Sequence, residues 1–150
     1  MTDSKSVWET AISLLARREH ARQELKQKLL HRGADESEVD AMLNRLVEQG
    51  YQSDERYTEM VIRSRYLKGQ GPMRAEQMLR QFGVADATIR LAMEAFEPDW
   101  FNLAREVRER RFGPWQGGDA RLRAKQIRFL QGRGFTPDQI FNAFDTLTEE

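Results

Sequence analysis

The stretch Lys68-Gly69-Gln70-Gly71-Pro72 interrupts a chain that otherwise reads as charged helix. Two glycines and a proline in five residues break any helix that runs into them. Such a loop is either a phosphate cradle or a joint between helices. Gly69-x-Gly71-x-x-Arg74 lacks the third glycine of a dinucleotide fingerprint, and it follows a helical pattern rather than a strand. No Gly-Lys-Ser/Thr of a phosphate loop is present. Pro72 suits the first position of a helix, where its missing N–H costs nothing. The stretch reads as a joint.

Outward from this joint the chain repeats. Gly33, Gly83 and Gly134 are spaced by 50 and 51 residues. Four residues before each stands a leucine (Leu29, Leu79, Leu130), and six after each a β-branched residue (Val39, Ile89, Ile140). Ten after come Leu43, Met93 and Phe144; thirteen after come Leu46, Phe96 and Leu147. The offsets of six, ten and thirteen share one helical face. The glycines suit the left-handed position that ends a helix. The helices that follow open on caps: Asp35 with Glu38, and Thr136 with Pro137 and Gln139; in the middle unit Ala85 stands at that place, so the cap is weaker or shifts to Asp86. A further helix precedes each pair, at Trp8–Arg18, Asp54–Leu67 and Asp99–Arg111. No segment alternates with period two. The sequence therefore predicts an all-α fold of three tandem three-helix repeats, about nine helices, in an elongated, curved array. This is a single helical-repeat domain over residues 1–150, with approximate units 7–50, 51–97 and 98–148.

Composition sets limits on function. Charged residues make up 32% of the chain, against about 25% for an ordinary domain, which suits thin helical layers. With no cysteine there is no disulfide, zinc-thiolate site or thiol nucleophile. The first residues, Met-Thr-Asp-Ser-Lys-Ser, do not read as a signal peptide, and no apolar run reaches the ~18 residues of a membrane span. A soluble cytoplasmic protein is expected. His20 and His31 are the only histidines, each reading as solvent-facing or capping. No metal-ligand spacing or nucleophile elbow occurs, and the acids Asp35, Glu36, Glu38 and Asp40 lack the spacing of a calcium loop. The residues predict no enzyme, no cofactor and no small-molecule substrate. Most aromatics read as packing, with Trp115, in its glycine-rich linker, the best placed to stack on a partner.

The net charge of zero conceals a sorting of sign. Residues 35–48, 86–97 and 138–150, the last helix of each unit, hold 12 acidic and 2 basic residues. The rest of the chain holds 22 basic and 12 acidic. Arg121, Lys125 and Arg128 fall on one helix face, as do Arg22 and Lys26; pairs such as Arg105–Glu109 suit intrahelical bridges. A basic strip of this kind fits an acidic filament, a protein groove or nucleic acid.

The run Gly50-Tyr51-x-x-Asp54-x-Arg56-Tyr57, followed by Ile62-x-Ser64-Arg65-x-x-Lys68-Gly69-x-Gly71-Pro72-x-Arg74-x-x-x-x-Leu79-x-x-x-Gly83, closely resembles the RecX regulatory proteins. So do the flanks, Arg18-x-His20-x-x-x-Glu24-Leu25-x-x-Lys28-Leu29 and Gln126-Ile127-Arg128-Phe129-Leu130 with Gly132-x-Gly134-Phe135. Gln52-Ser53 and Ala75 depart from the family pattern. The resemblance implies a non-enzymatic modulator that lies in the groove of the RecA–DNA filament. It would inhibit ATP hydrolysis, strand exchange and co-protease activity, and so damp recombination and the SOS response. It also implies that Arg56, Arg65, Lys68 and Arg74 are contacts, and that Gly69, Gly71 and Pro72 are structural. A rival reading is direct DNA binding by helix-turn-helix-like units, with weak nonspecific DNA affinity as its lesser form. The acidic last helix of each unit counts against base reading.

Overall fold

The computed structural model describes residues 4–96 and 99–145. Among these residues there are nine α-helices and no strand: α1 Ser4–Arg17, α2 Arg22–His31, α3 Glu36–Glu48, α4 Asp54–Leu67, α5 Pro72–Gln81, α6 Asp86–Phe96, α7 Trp100–Phe112, α8 Ala120–Gly132 and α9 Pro137–Asn142. They fall into two compact units, one of residues up to Met60 with Leu79–Glu94, the other of Val61–Met78 with Ala95 onward.

The repeated leucine and glycine have one physical cause. Gly33, Gly83 and Gly134 have φ of 94°, 71° and 93°, a region that glycine enters without a Cβ clash. Each glycine N–H donates to the carbonyl three residues back, and the next N–H donates to the leucine carbonyl (Ala34 to Leu29 3.1 Å, Val84 to Leu79 3.1 Å, Phe135 to Leu130 3.3 Å). That is a Schellman stop made three times, with the leucine at its third-last helical position. Leu29, Leu79, Leu130, Val39, Ile89 and Ile140 are all buried, at 3% exposure or less. Each contributes roughly 1.5–3 kcal/mol by leaving water. Met93 and Phe96 are half-buried, and Leu147 lies outside the described residues.

In the first unit the core gathers Val7, Ala11 and Leu14 of α1, Leu25 and Leu29 of α2, and Val39, Met42, Leu43 and Leu46 of α3. In the second unit α7, α8 and α9 pack on one another and bury Leu103, Ala104, Val107, Leu130, Ile140 and Phe144.

Three local expectations are corrected. Asp35 caps α3 by accepting from the Ser37 N–H, but Glu38 does not close the box; it accepts instead from Ser4 Oγ. Thr136 and Gln139 do form the reciprocal box. The last helix, expected over 138–150, stops at Asn142, with residues 146–150 outside the described ones. The cause is tertiary: Arg105 Nη2 donates to the Asn142 carbonyl (3.0 Å) and Arg108 Nε to that of Ala143 (2.8 Å), satisfying carbonyls that a continuing helix would use. Arg105 is thereby drawn away from Glu109, which pairs with Arg108 instead (3.7 Å).

Candidate functional site

The joint at 68–72 is built from the end of one helix and the start of the next. Gly69, with φ of 75°, ends α4, and Pro72 is the first residue of α5. Gly71 N–H donates to the Arg133 carbonyl (2.8 Å) and Met73 N–H to that of Gly134 (3.0 Å). Arg74 Nε and Nη2 both reach the Gly132 carbonyl, at 3.0 and 2.6 Å. A Cβ at Gly71 would land on the Gly134 carbonyl. The open end of α5 is thus closed by the turn after α8, and those amides have no free hydrogen to offer a phosphate.

A polar cluster lies at the start of α2. His20 is buried, not solvent-facing. Its Nε2 is 3.0 Å from Lys28 Nζ, which can only donate; Nδ1 therefore carries the proton and donates to the Arg18 carbonyl (3.0 Å). Burial, helped by the charges of Arg18 and Lys28, pushes the imidazole below its ordinary value, so it is held neutral. Glu24, also buried, accepts from Arg18 Nη1 and Nη2 (3.2 and 2.6 Å) and from the Ala21 N–H (3.3 Å). Burial alone would raise its pKa, but the Arg18 bonds and the surrounding cations together hold it below the usual carboxylate range. The motif residues Arg18, His20, Glu24 and Lys28 thus form one network that closes the end of α2. Gln52, one of the departures from the family pattern, is buried and ties this network to the next helix, donating to the His20 carbonyl (3.1 Å) and Asp54 Oδ1 (3.0 Å). Its neighbour Ser53 accepts from the Arg56 N–H (3.2 Å) and so caps α4.

The sequence-selected cations divide into two groups. Arg22 donates to Asn44 Oδ1 (2.9 Å), Lys26 pairs with Asp40 (3.0 Å), and Arg56 holds Glu19 and the Gly50 carbonyl. Arg65 donates to Gln70 Oε1 (3.2 Å), and Arg74 is held as described. Arg121, Lys125 and Arg128 stand exposed on α8, opposite the buried Gln126 and Leu130, and have no partner among the described residues. Lys68 is exposed too, and borders a cavity of about 260 Å³ with Gly69, Val107, Arg110, Arg111, Phe129 and Arg133. Sequence reasoning passed over Arg110, Arg111 and Arg133, although the run Arg108-Glu109-Arg110-Arg111 was a visible signal. Arg108 is different: it is buried, and burial lowers its pKa, yet its carbonyl partners at Gly113 and Ala143 and the Phe144 ring keep it in place. Trp115 is not held out for a partner, because its ring meets Phe144 edge to face at 5.0 Å.

Among the described residues no group of three or more histidines and carboxylates is placed to hold a metal, and no helix is long and apolar enough to cross a membrane. The fold and this surface define a class: an all-helical tandem-repeat protein whose distinguishing surface is exposed positive charge, unpaired among the described residues. Residues 8–46, 53–93 and 97–144 match the first, second and third three-helix domains of RecX respectively. The regulatory protein RecX of Halorhodospira halophila is 50% identical over 137 residues, 91% of this chain and 85% of that protein. That of Vibrio campbellii is 40% identical over 142 residues, 95% and 92% of the two chains. The chain belongs to the RecX family. The crystal structure of RecX from Lactobacillus salivarius has the same fold, with a TM-score of 0.78 over 93% of this chain and 92% of that one at 20% identity. A second crystal structure, of a regulatory protein RecX, gives 0.73 over 93% and 77% at 22% identity.

Proposed function

We propose that the chain is a non-enzymatic cytoplasmic regulator that binds the RecA–DNA filament and inhibits RecA ATP hydrolysis, strand exchange and co-protease activity, so damping recombination and the SOS response. Family membership supports the regulatory role. The observation that carries the surface is the exposed row Arg121, Lys125 and Arg128 on α8, unpaired among the described residues. Arg22, Lys26, Arg56, Arg65 and Arg74 extend the contact set, although each already has an intramolecular partner. In this reading the three repeats, at about 7–50, 51–97 and 98–148, make many weak contacts with neighbouring filament subunits. Their sum gives avidity without a deep pocket. Holding adjacent subunits in one setting blocks the cycling that ATP turnover requires.

Base reading by a recognition helix is the weaker account. The third helix of the first repeat carries Glu36, Glu38, Asp40 and Glu48 against Arg45, which the phosphates flanking a groove would repel. The test is RecA ATP hydrolysis on single-stranded DNA as the protein is titrated in. Inhibition far below equimolar protein points to blocked filament ends, and inhibition near stoichiometry to coverage along the groove. Unchanged hydrolysis at saturating protein overturns the proposal.

A further inference from the structure

The first unit holds a recess of about 630 Å³ between the end of α1, one face of α2 and the turn after α5. Leu14 and Phe82 are its apolar walls, and Arg17, Lys28, His31 and Arg32 make its basic side. On α2 the lining residues Glu24, Lys28 and His31 are spaced i, i+4 and i+7, so they share one helix face. The one lining carboxylate, Glu24, is buried and already held by Arg18 and the Ala21 N–H. Lys28 is tied to the same network through His20, whereas Arg17 and His31 are exposed and have no partner among the described residues. Phe82 is the residue that breaks the repeat. The position before the stop glycine is Arg32 in the first repeat and Arg133 in the last, and the middle repeat alone places an aromatic there. Its ring is half-buried and meets no other ring among the described residues.

We propose that this recess binds a short acidic peptide segment of another protein, anchored by one aromatic or large aliphatic side chain between Leu14 and Phe82. The two kinds of wall match the two parts of such a ligand. An apolar anchor removes its own surface and that of Leu14 and Phe82 from water, and an aromatic anchor can also meet the Phe82 ring edge to face. Carboxylates flanking the anchor face Arg17, Lys28, His31 and Arg32, whose charge the engaged Glu24 does not offset. Gln27, exposed and without a partner among the described residues, offers a donor and an acceptor to the peptide backbone. The volume falls within the roughly 300–1,000 Å³ of sites that enclose a compact ligand. A phosphodiester strand makes no use of the apolar walls. A fatty acid brings one charge to several cations, and a long chain to two apolar side chains. Arg17 and His31, in the last turns of α1 and α2, also complement the helix dipoles, but that role does not call for an aromatic beside them.

The test uses the full chain without RecA and a fluorescein-labelled peptide carrying one phenylalanine flanked by aspartates, followed by fluorescence anisotropy. The expected result is saturable binding that weakens about tenfold when alanine replaces the phenylalanine, and that is lost when asparagines replace the aspartates. Arg17→Gln with His31→Gln should weaken binding about five-fold while thermal melting stays nearly unchanged. Arg90→Gln with Arg110→Gln, which removes exposed charge elsewhere, should bind as wild type does. Phe82→Arg installs the residue that the other two repeats carry at this place, and should abolish the preference for phenylalanine over alanine. No binding, or equal binding of the phenylalanine and alanine peptides to wild type, overturns the proposal. So does equal weakening by the two double variants, or a first double variant that melts lower yet binds normally, its charges then serving only the helix dipoles. Displacement of the peptide by polyglutamate or by dodecanoate at equal charge concentration also overturns it, reassigning the recess to charge alone or to acyl anions. RecA is absent throughout, so each outcome is independent of the proposed inhibition.

Discussion

The start of α2 and the start of α5 occupy equivalent places in the repeat, fifty residues apart, yet they are closed by different chemistry. Ala21, Arg22, Gln23 and Glu24 at the first correspond to Gly71, Pro72, Met73 and Arg74 at the second. At α2 side chains close the helix end: Glu24 accepts from the Ala21 N–H, and Asp54 Oδ1 from the Arg22 N–H at 2.9 Å. At α5 the backbone does it. Pro72 has no N–H to satisfy, and the Gly71 and Met73 amides donate to the Arg133 and Gly134 carbonyls. The neighbouring turn sets the difference. The Gly83 turn meets the flexible end of the Gln23 side chain, whereas the Gly134 turn comes so close to Gly71 that no Cβ fits. The charge at the fourth position reverses with the partner: Glu24 faces an amide donor, and Arg74 faces a carbonyl. A side-chain closure tolerates substitution piece by piece; a backbone closure has one strict position.

The largest expected effect follows directly. Gly71→Ala should force the Gly134 turn away and cost about 3 kcal/mol, at the upper end of overpacking. Urea unfolding measures it. Next comes Glu24→Ala, which removes the cap and leaves the Arg18 and Lys28 charges without their carboxylate; about 2 kcal/mol is expected in the same assay. Gly83→Ala should cost only about 1 kcal/mol. Its Cβ displaces a flexible glutamine end, and what remains is the left-handed φ of 71°. A Gly83→Ala loss as large as that of Gly71→Ala would show that the two joints do not differ as described.

The smallest effect is pH dependence, which should appear only where the side-chain network sits. His20 is held below its ordinary 6.5. As pH falls beneath that value, the unfolded chain takes up a proton that the folded chain refuses until its own, lower pKa. Its contribution is complete above pH 6.5 and is lost as acid approaches the folded value. Glu24, held below its ordinary 4.5, adds a loss of the same sign at lower pH. Melting curves should therefore be level above neutrality and fall on acidification, with the upper step flattened in His20→Asn. A melting point that rises from pH 7 to 5 would contradict the buried neutral imidazole.

How much was legible depended on how far the cause lay from the residue. The Schellman stops were readable because leucine, glycine and the next helix lie within a few positions. The limits of α4 and the role of Pro72 were readable for the same reason. The early end of α9 was not, because Arg105 and Arg108 reach it from another helix. Nor was the burial of His20, whose partners Arg18 and Lys28 look like ordinary surface charge until the turn into α2 brings them onto the imidazole. For the candidate surface, sequence found the row on α8 and Lys68. It did not find Arg110, Arg111 and Arg133, which join Lys68 only once three helix ends meet. Five of the nine selected cations turn out to hold the chain's own groups, which a linear spacing of charge does not reveal.

The central claim is that the exposed basic row on α8 acts on RecA, and charge reversal addresses it most directly. Arg121→Glu, Lys125→Glu and Arg128→Glu are combined in one variant and compared with wild type for inhibition of RecA ATP hydrolysis on single-stranded DNA. Exposed charges contribute little to stability, so helicity and melting should be nearly unchanged. Inhibition should collapse, and wild-type inhibition should itself weaken steeply with salt. A control reversing the exposed acids Glu48 and Glu94 to lysine should inhibit as wild type does. A triple variant that inhibits normally while the acidic control fails would contradict the account, placing the working surface on the opposite charge.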